Sequence, residues 1–404
     1  MRNIKKLIAK NNNFTDNNLG KVFNETVNQI KQREKEKLNR LIKTEKTPLI
    51  IFGAGNLGRK ILKGLRYLGL NPIGFADNNY VSLDAVIDGI RVYSPKDAAH
   101  KFAKKAVFII SIWAPHHSYL KTFKQLQDLK CLNIIPFQLL IWKYPDIFSP
   151  HYQFVPPHEI RKHKKKIMKV FKLLSDQKSR REFYSHIRWR MFLDYNTLPK
   201  PDFVNQYFPD ELISVSRDEV FIDCGAYNGD TLKKFLEKSK QGNFKKIICF
   251  EPDPNNFAML RNYAESLNQK IKRKILFYNY AVGSKSGELK FTINKTTGSF
   301  VDPDGQTSVK SIPLDEIVID ERPTFLKFDV EGSELAALRG SSNIIRQYKP
   351  IVAVCVYHKP NDIWEIPLYL YSMNRDYQFY FRTYDHDGLE LVIYAIPKDR
   401  VRKI

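Results

Sequence analysis

The strongest constraint on the fold is a series of short apolar runs between Asp218 and the C-terminus, each closed by a turn, an acidic residue or a histidine. They read "VFIDCGAYNG", "KIICFEPDP", "ILFYNYAVG", "TFLKFDVEG" and "PIVAVCVYH". Unalternated runs of this length, separated by helices or longer segments, predict parallel strands joined by crossovers. The final stretch, "YQFYFRTYDHDGLELVIYAIP", holds two strand-like runs about the turn "DHDG" and predicts an antiparallel hairpin at the sheet edge. The expected class is α/β, a doubly wound, mostly parallel sheet with a reversed last strand.

In such a sheet a ligand lies beyond the carboxyl ends of the strands, so the residues closing each run set its chemistry. Asp223 and "GAYNG" close the first, Glu251 the second, Asp329 and Glu331 the fourth, and His358 the fifth. No GxxxxGK[ST] motif is present, and this many carboxylates would repel a triphosphate. S-adenosylmethionine fits better, with a sulfonium, an amine and a ribose diol but no phosphate. Gly225 and Gly229 would admit its amino-acid part, Asp223 would support the amine, and Glu251 would accept both ribose hydroxyls. Taken singly, each residue has an ordinary structural reading, since a glycine after a strand is usually just a turn. The set is more specific than its parts.

The same residues sit in motifs that resemble, in order, those of the FkbM-family methyltransferases. These are "DCGAYNGDT", "CFEPDPNNFAMLRNYA", "NYAVGSKSG", "SVKSIPLDEI", "FLKFDVEGSELAALRG" and "VYHKPNDIWEIPLYL", within Glu211 to Pro397. The resemblance implies a class I methyltransferase fold, S-adenosylmethionine as donor, and O-methylation of a sugar or polyketide-like hydroxyl. By match, Asp223, Gly225 and Gly229 fall on the donor loop and Glu251 on the ribose-binding acid. Asp329, Glu331 and Gly332 fall on the "KxDVEGxE" motif at the substrate end. The usual family form has Asn directly after "GA"; here Tyr227 takes that place and Asn228 follows, which leaves both as donor-site candidates.

Methyl transfer to a hydroxyl is an in-line displacement in which a base removes the proton. His358 is the candidate base by chemistry and position, with Asp329 as the alternative. Asp329, Glu331 and His358 together would also form an oxygen-rich set for Mg²⁺. A strand-end histidine that is merely hydrogen-bonded is the plain alternative.

Before this region, "PLIIFGAGNLGRKILKGLRYLGLNPIGFADNN" reads strand, glycine turn, helix, strand. Gly53, Gly55 and Gly58 form G-x-G-x-x-G, and Asp77 follows the next strand, the context of a dinucleotide fingerprint. The unit closes near Pro145 with too few strands for both halves of a dinucleotide fold. The expectation is a small Rossmann-like domain, either purely structural or holding a nucleotide or nucleotide-sugar. Four segments follow: a helical stretch over 1–47, this domain over 48–145, a basic helical connector over 146–210, and the methyltransferase-like domain over 211–404.

Lys and Arg number 66 against 43 Asp and Glu, a formal net charge of +23. The excess fits an anionic partner or a compositional bias spread over solvated faces. A nucleic-acid methyltransferase is the rival reading, favoured by "REFYSHIRWR" but lacking the Asn/Asp-Pro-Pro-aromatic and Pro-Cys motifs of base methylation. A non-catalytic scaffold is the second rival. Cys131, Cys224, Cys249 and Cys355 show no metal-ligand spacing and read as buried thiols. The basic start lacks an apolar leader core, and no run is long enough to span a bilayer. A cytoplasmic protein acting on a small-molecule or glycan hydroxyl is expected, with peripheral membrane contact and homo-oligomerisation left open.

Overall fold

The computed structural model describes residues 14–240, 242–292, 300–301 and 304–402, so the basic start of the chain lies outside the described residues. Two compact units are present, and neither is continuous in sequence. One takes in the chain up to Met168, Arg181–Pro201 and Asp385–Leu389; the other takes in Lys169–Arg180, Asp202–Tyr384 and the chain from Glu390. Residues 146–210 are thus divided between the two units. No described helix is long and apolar enough to cross a membrane.

In the first unit, strands β1 (Leu49–Phe52), β2 (Gly74–Ala76), β3 (Val86–Ile87), β4 (Ile90–Tyr93), β5 (Val107–Ile110) and β6 (Asn133–Pro136) form one sheet. Their order is β3-β4-β2-β1-β5-β6, and every pair is parallel except β3 with β4. "LIIF" and "VFII" are buried at all positions, as in strands covered on both faces. Helices α1 (Asn56–Tyr67), α2 (Pro95–Phe102) and α3 (Tyr119–Asp128) make the crossovers. The β3–β4 hairpin enlarges the sheet. Asp88 at φ +49° and Gly89 at φ +79° form its two-residue turn, so the Asp-Gly signal was present in the sequence.

Near the N-terminus, Leu19, Phe23 and Ile30 are buried as their spacing predicts, but Val27 is 41% exposed. The helix is interrupted there, because Thr26 caps Val27–Asn39 and accepts from Gln29 N at 3.3 Å.

The second unit holds β7 (Val220–Cys224), β8 (Lys246–Phe250), β9 (Ile275–Tyr278), β14 (Phe325–Phe328), β15 (Ile351–Cys355), β16 (Tyr377–Thr383) and β17 (Leu391–Pro397). The order is β16-β17-β15-β14-β7-β8-β9. Pairs from β15 to β9 are parallel, and β17 runs antiparallel to both its neighbours. The reversed last strand is present, yet it slots between β15 and β16 and leaves β16 at the edge. Strands β10 (Ala281–Val282), β11 (Gly287–Thr292), β12 (Phe300–Val301) and β13 (Thr307–Ile312) build a separate small sheet from the insertion. Helices α4 (Asp230–Lys238), α5 (Glu334–Arg339) and α6 (Asp362–Met373) follow β7, β14 and β15.

The apolar stripes of the basic helices, Ile167, Val170, Phe171 and Leu174, then Phe183, Ile187 and Met191, are all buried. Their arginines and aromatics interleave on helices with an ordinary core face. The four cysteines are buried free thiols.

Candidate active site

β7 delivers Asp223 and then a tight turn. Gly225 (φ +83°), Tyr227 (φ +46°) and Gly229 (φ +93°) are all left-handed, and Gly229 caps α4. The backbone N–H groups of Gly225 and Ala226 both donate to Phe250 O at 2.9 Å, which ties the turn to the end of β8. A Cβ at Gly225 would lie 1.9 Å from Asp329 O, so the glycine is required by the neighbouring strand end as much as by any ligand. Tyr227 points its side chain outward, 48% exposed, while Asn228 is half-buried.

Glu251 closes β8 and is 5% exposed. Its Oε2 accepts from Tyr227 N at 2.8 Å and its Oε1 from Asp253 N at 3.0 Å. Burial pushes this carboxyl up to about 7, against the pull of those two backbone donors. Each oxygen keeps a second lone pair, and a buried carboxylate with spare acceptor capacity fits a ribose diol.

Asp223 has different surroundings from those expected. It is fully buried, and Lys327 Nζ lies 3.0 Å from its Oδ1, a close pairing of charges rather than a well-aligned hydrogen bond. Lys327 faces Asp223 in the β14–β7 register and donates to Gly225 O at 2.6 Å. Burial pulls the ammonium down, but Asp223, Asp329 and Asp230 outweigh that and hold it well above the ordinary lysine value. Asp223 thus faces Lys327 beneath the turn, and both of its buried oxygens lack a hydrogen-bond partner.

The carboxyl ends of β14 and β15 bring Asp329, Glu331 and His358 together, as their sequence positions predict. His358 Nε2 lies 3.6 Å from Asp329 Oδ1 and 3.5 Å from Glu331 Oε2. Neither that nitrogen nor Asp329 Oδ1 has a hydrogen-bond partner, though both atoms are buried. Asp329 is turned by Tyr207, whose hydroxyl donates to Oδ2 at 2.8 Å. Glu331 (φ +50°) and Gly332 (φ +90°) form a left-handed turn that starts α5.

Three residues of this arrangement were not singled out from sequence: Lys327, Tyr207 and Glu334. Glu334 is buried, and its Oε1 accepts from His358 Nδ1 at 2.8 Å, Val330 N at 3.0 Å and Gly332 N at 3.3 Å. It fixes the imidazole so that Nε2 faces Asp329. Burial pulls the imidazole down, yet Glu334, Glu331 and Asp329 hold it well above its ordinary value. Burial pushes Glu331 up to about 7, while Asp329 is held low by Lys327, His358 and Tyr207 despite its burial.

Asp329, Glu334 and His358 offer ligand atoms within 4.8 Å of one another. The set fits Mg²⁺ poorly. Glu334 Oε1 already takes three donors, although its Oε2 takes none, and neither this set nor Asp329, Glu331 and His358 supplies the octahedral array of oxygens that a hard ion asks for.

In the first unit the glycine fingerprint is largely used by its own backbone. A Cβ at Gly53 (φ +110°) would lie 2.6 Å from Ile112 Cγ1, and one at Gly58 would lie 1.9 Å from Gly53 O. Asp77 accepts from Ala54 N and Asn79 N, both at 2.8 Å, so its oxygens lock the turn. Gly55, at the start of α1, would meet nothing within 4 Å. The N-terminus of α3 is also taken, because Tyr119 N donates to Asp387 Oδ2 at 2.6 Å.

Among known proteins, the family match falls within the second unit. Hexuronic acid methyltransferase AglP of Haloferax volcanii is 26% identical over 127 residues, 30% of this chain and 52% of that protein. Protein disulfide isomerase-like 1-1 of Arabidopsis thaliana is 30% identical over 134 residues, 29% of this chain and 26% of that protein. The chain thus spans about half the length of one curated relative and about a quarter of the other. A crystal structure titled methyltransferase FkbM from Methylobacillus flagellatus KT shares the fold, with TM-score 0.74 at 21% identity over 92% of this chain and 99% of that one. Residues 223–383 match the family model of the methyltransferase FkbM domain. That stretch begins at Asp223 and holds Glu251, Asp329, Glu334 and His358, and it is a methyltransferase domain of the FkbM family, the class that takes its methyl group from S-adenosylmethionine.

Proposed function

We propose that the chain methylates a hydroxyl of a sugar, nucleotide-sugar or glycan. The observation that carries this reading is the facing pair of buried atoms without hydrogen-bond partners, His358 Nε2 and Asp329 Oδ1, two strands and one strand over from the donor turn. Two such acceptors 3.6 Å apart can share the hydrogen of one hydroxyl, which passes to Nε2 as the oxygen attacks. S-adenosylmethionine, when bound, supplies an electrophilic methyl. Glu251 and the 225–229 turn would hold it, with Asn228 the nearer of the two polar candidates because the Tyr227 ring points outward.

In this reading Glu334 orients His358, Tyr207 orients Asp329, and neutral His358 takes the acceptor's proton. Because the folded imidazole titrates above its ordinary value of about 6.5, turnover should rise with pH through that raised value. A sugar acceptor is favoured by the similarity to a protein named for hexuronic acid.

The test is transfer of labelled methyl from S-adenosylmethionine to a panel of uronic-acid glycosides, neutral glycosides and RNA. Label in a glycoside, resistant to chelators, supports the reading. Label in RNA alone overturns it, and a rate abolished by chelation and restored by Mg²⁺ would replace His358 with a metal. A pH profile that is flat above about 6.5 would transfer the base role to Asp329.

A further inference from the structure

The first unit contains a groove that the methyl-transfer reading does not use. It lies beyond the carboxyl ends of β2 and β4, where Asn78 and Tyr80 follow one strand and Ser94, Pro95 and Lys96 follow the other; the two strands pair in parallel. That is the end of a parallel sheet where ligands bind. α3 forms the opposite wall with Lys121, Lys124 and Gln125. The volume is about 700 Å³, the size of a small-ligand site.

The groove wall is built rather than incidental. Asn78 and Gln125 hold each other by reciprocal amide hydrogen bonds of 2.7 and 3.3 Å, which bridge the end of β2 to α3. Three lysines meet a single lining carboxylate, Asp128, which pairs with Lys124 at 3.3 Å. The rim therefore carries an excess of two positive charges. A neighbouring hollow that shares Lys96 adds Lys101, Lys104, Lys105 and Lys130, which extends the same field. Tyr80 lies on the rim, 42% exposed, with a ring available for stacking.

We infer that this groove binds a nucleoside diphosphate, free or as the head of a nucleotide-sugar. Lysine ammonium groups are point charges suited to a diphosphate. The Tyr80 ring offers a face to a base, and the Asn78 and Gln125 amides retain donors and acceptors for its edge. The site is displaced from the glycine fingerprint, whose Gly53, Gly58 and Asp77 are occupied by local packing and whose neighbouring helix end is filled by Asp387. The inference does not depend on the methyl-transfer reading, since none of its residues belongs to that site.

The test is calorimetric titration of the full chain with uridine and guanosine diphosphates, with S-adenosylhomocysteine saturating so that no nucleotide enters the donor site. One site per chain is expected, weakened at least tenfold in the Lys121→Ala/Lys124→Ala variant and weaker in high salt. These side chains are exposed, so the variant's melting temperature should match the wild type. Tyr80→Ala should weaken the diphosphates while leaving inorganic pyrophosphate unchanged. Pyrophosphate binding as tightly as either nucleotide would overturn the nucleoside part, and no saturable nucleotide binding would overturn the whole. Binding insensitive to the lysine variant would place it elsewhere. Lysine-dependent binding to phosphatidylglycerol vesicles, without nucleotide binding, would make the groove a lipid-facing surface and equally defeat the proposal.

Discussion

Glu334→Gln is the most informative substitution, because it separates the geometry of His358 from its charge environment. Glutamine keeps the volume and one acceptor oxygen for Val330 N and Gly332 N, so the turn before α5 should persist. The charge beside Nδ1 disappears. A hydrogen bond to a charged group contributes roughly 1.5–3 kcal/mol, and one pKa unit corresponds to about 1.36 kcal/mol. His358 should therefore titrate about one to two units lower than in the wild type. While His358 stays protonated, Glu331 should also fall from about 7, because Glu334 is one of the charges that raise it.

The assay is a nitrogen-detected imidazole titration by NMR, with unfolding measured at several pH values. A raised folded pKa stabilises the protein fully below the unfolded value of about 6.5, and the contribution is lost as pH rises through the folded value. The stability gap between wild type and Glu334→Gln should accordingly be widest in acid and narrow towards alkaline pH. In turnover, above the wild-type His358 pKa where both imidazoles are neutral, the weaker base should cost at most about 10- to 150-fold with donor affinity unchanged, and the rise of turnover with pH should begin at lower pH. A folded variant whose His358 titrates as in the wild type would refute the claim that Glu334 sets its state.

Three further outcomes follow from the same geometry. Tyr207→Phe removes the donor to Asp329 Oδ2, so the Asp329 pKa should rise and turnover fall while S-adenosylmethionine affinity holds; an Asp329 carboxyl that titrates as in the wild type by NMR would count against this. Glu251→Gln should weaken the donor roughly tenfold or more by calorimetry, since it loses charge-assisted bonds to the ribose, and should loosen the turn where an amide hydrogen meets Tyr227 N or Asp253 N. Gly225→Ala combines a strained positive φ with a Cβ 1.9 Å from Asp329 O, so thermal or urea unfolding should show a loss of roughly 2–6 kcal/mol; wild-type stability would mean the strand ends separate without cost.

The residues that could be read from sequence are those whose role follows from position alone. Strand ends follow from the apolar runs, and the ligand rule for parallel sheets then picks out Asp223, Glu251, Asp329 and His358 without any knowledge of contacts. What position could not supply is which oxygen faces which nitrogen. Asp223 and Lys327 lie about a hundred residues apart and meet only because β7 and β14 are neighbours in register, Asp223 opposite Lys327. A lysine inside "FLKF" was nevertheless a signal, since an ammonium in a fully buried strand needs a carboxylate partner. Glu334 had a weaker one, three residues beyond Glu331 on the opening turn of a helix. The fingerprint over Gly53 to Gly58 shows why such a motif admits two readings. Gly53 and Gly58 are as constrained as a ligand site requires, but the constraint comes from Ile112 and the backbone itself, whereas Gly55 faces open space; close approach of chain to chain leaves the same trace in sequence as close approach of chain to phosphate.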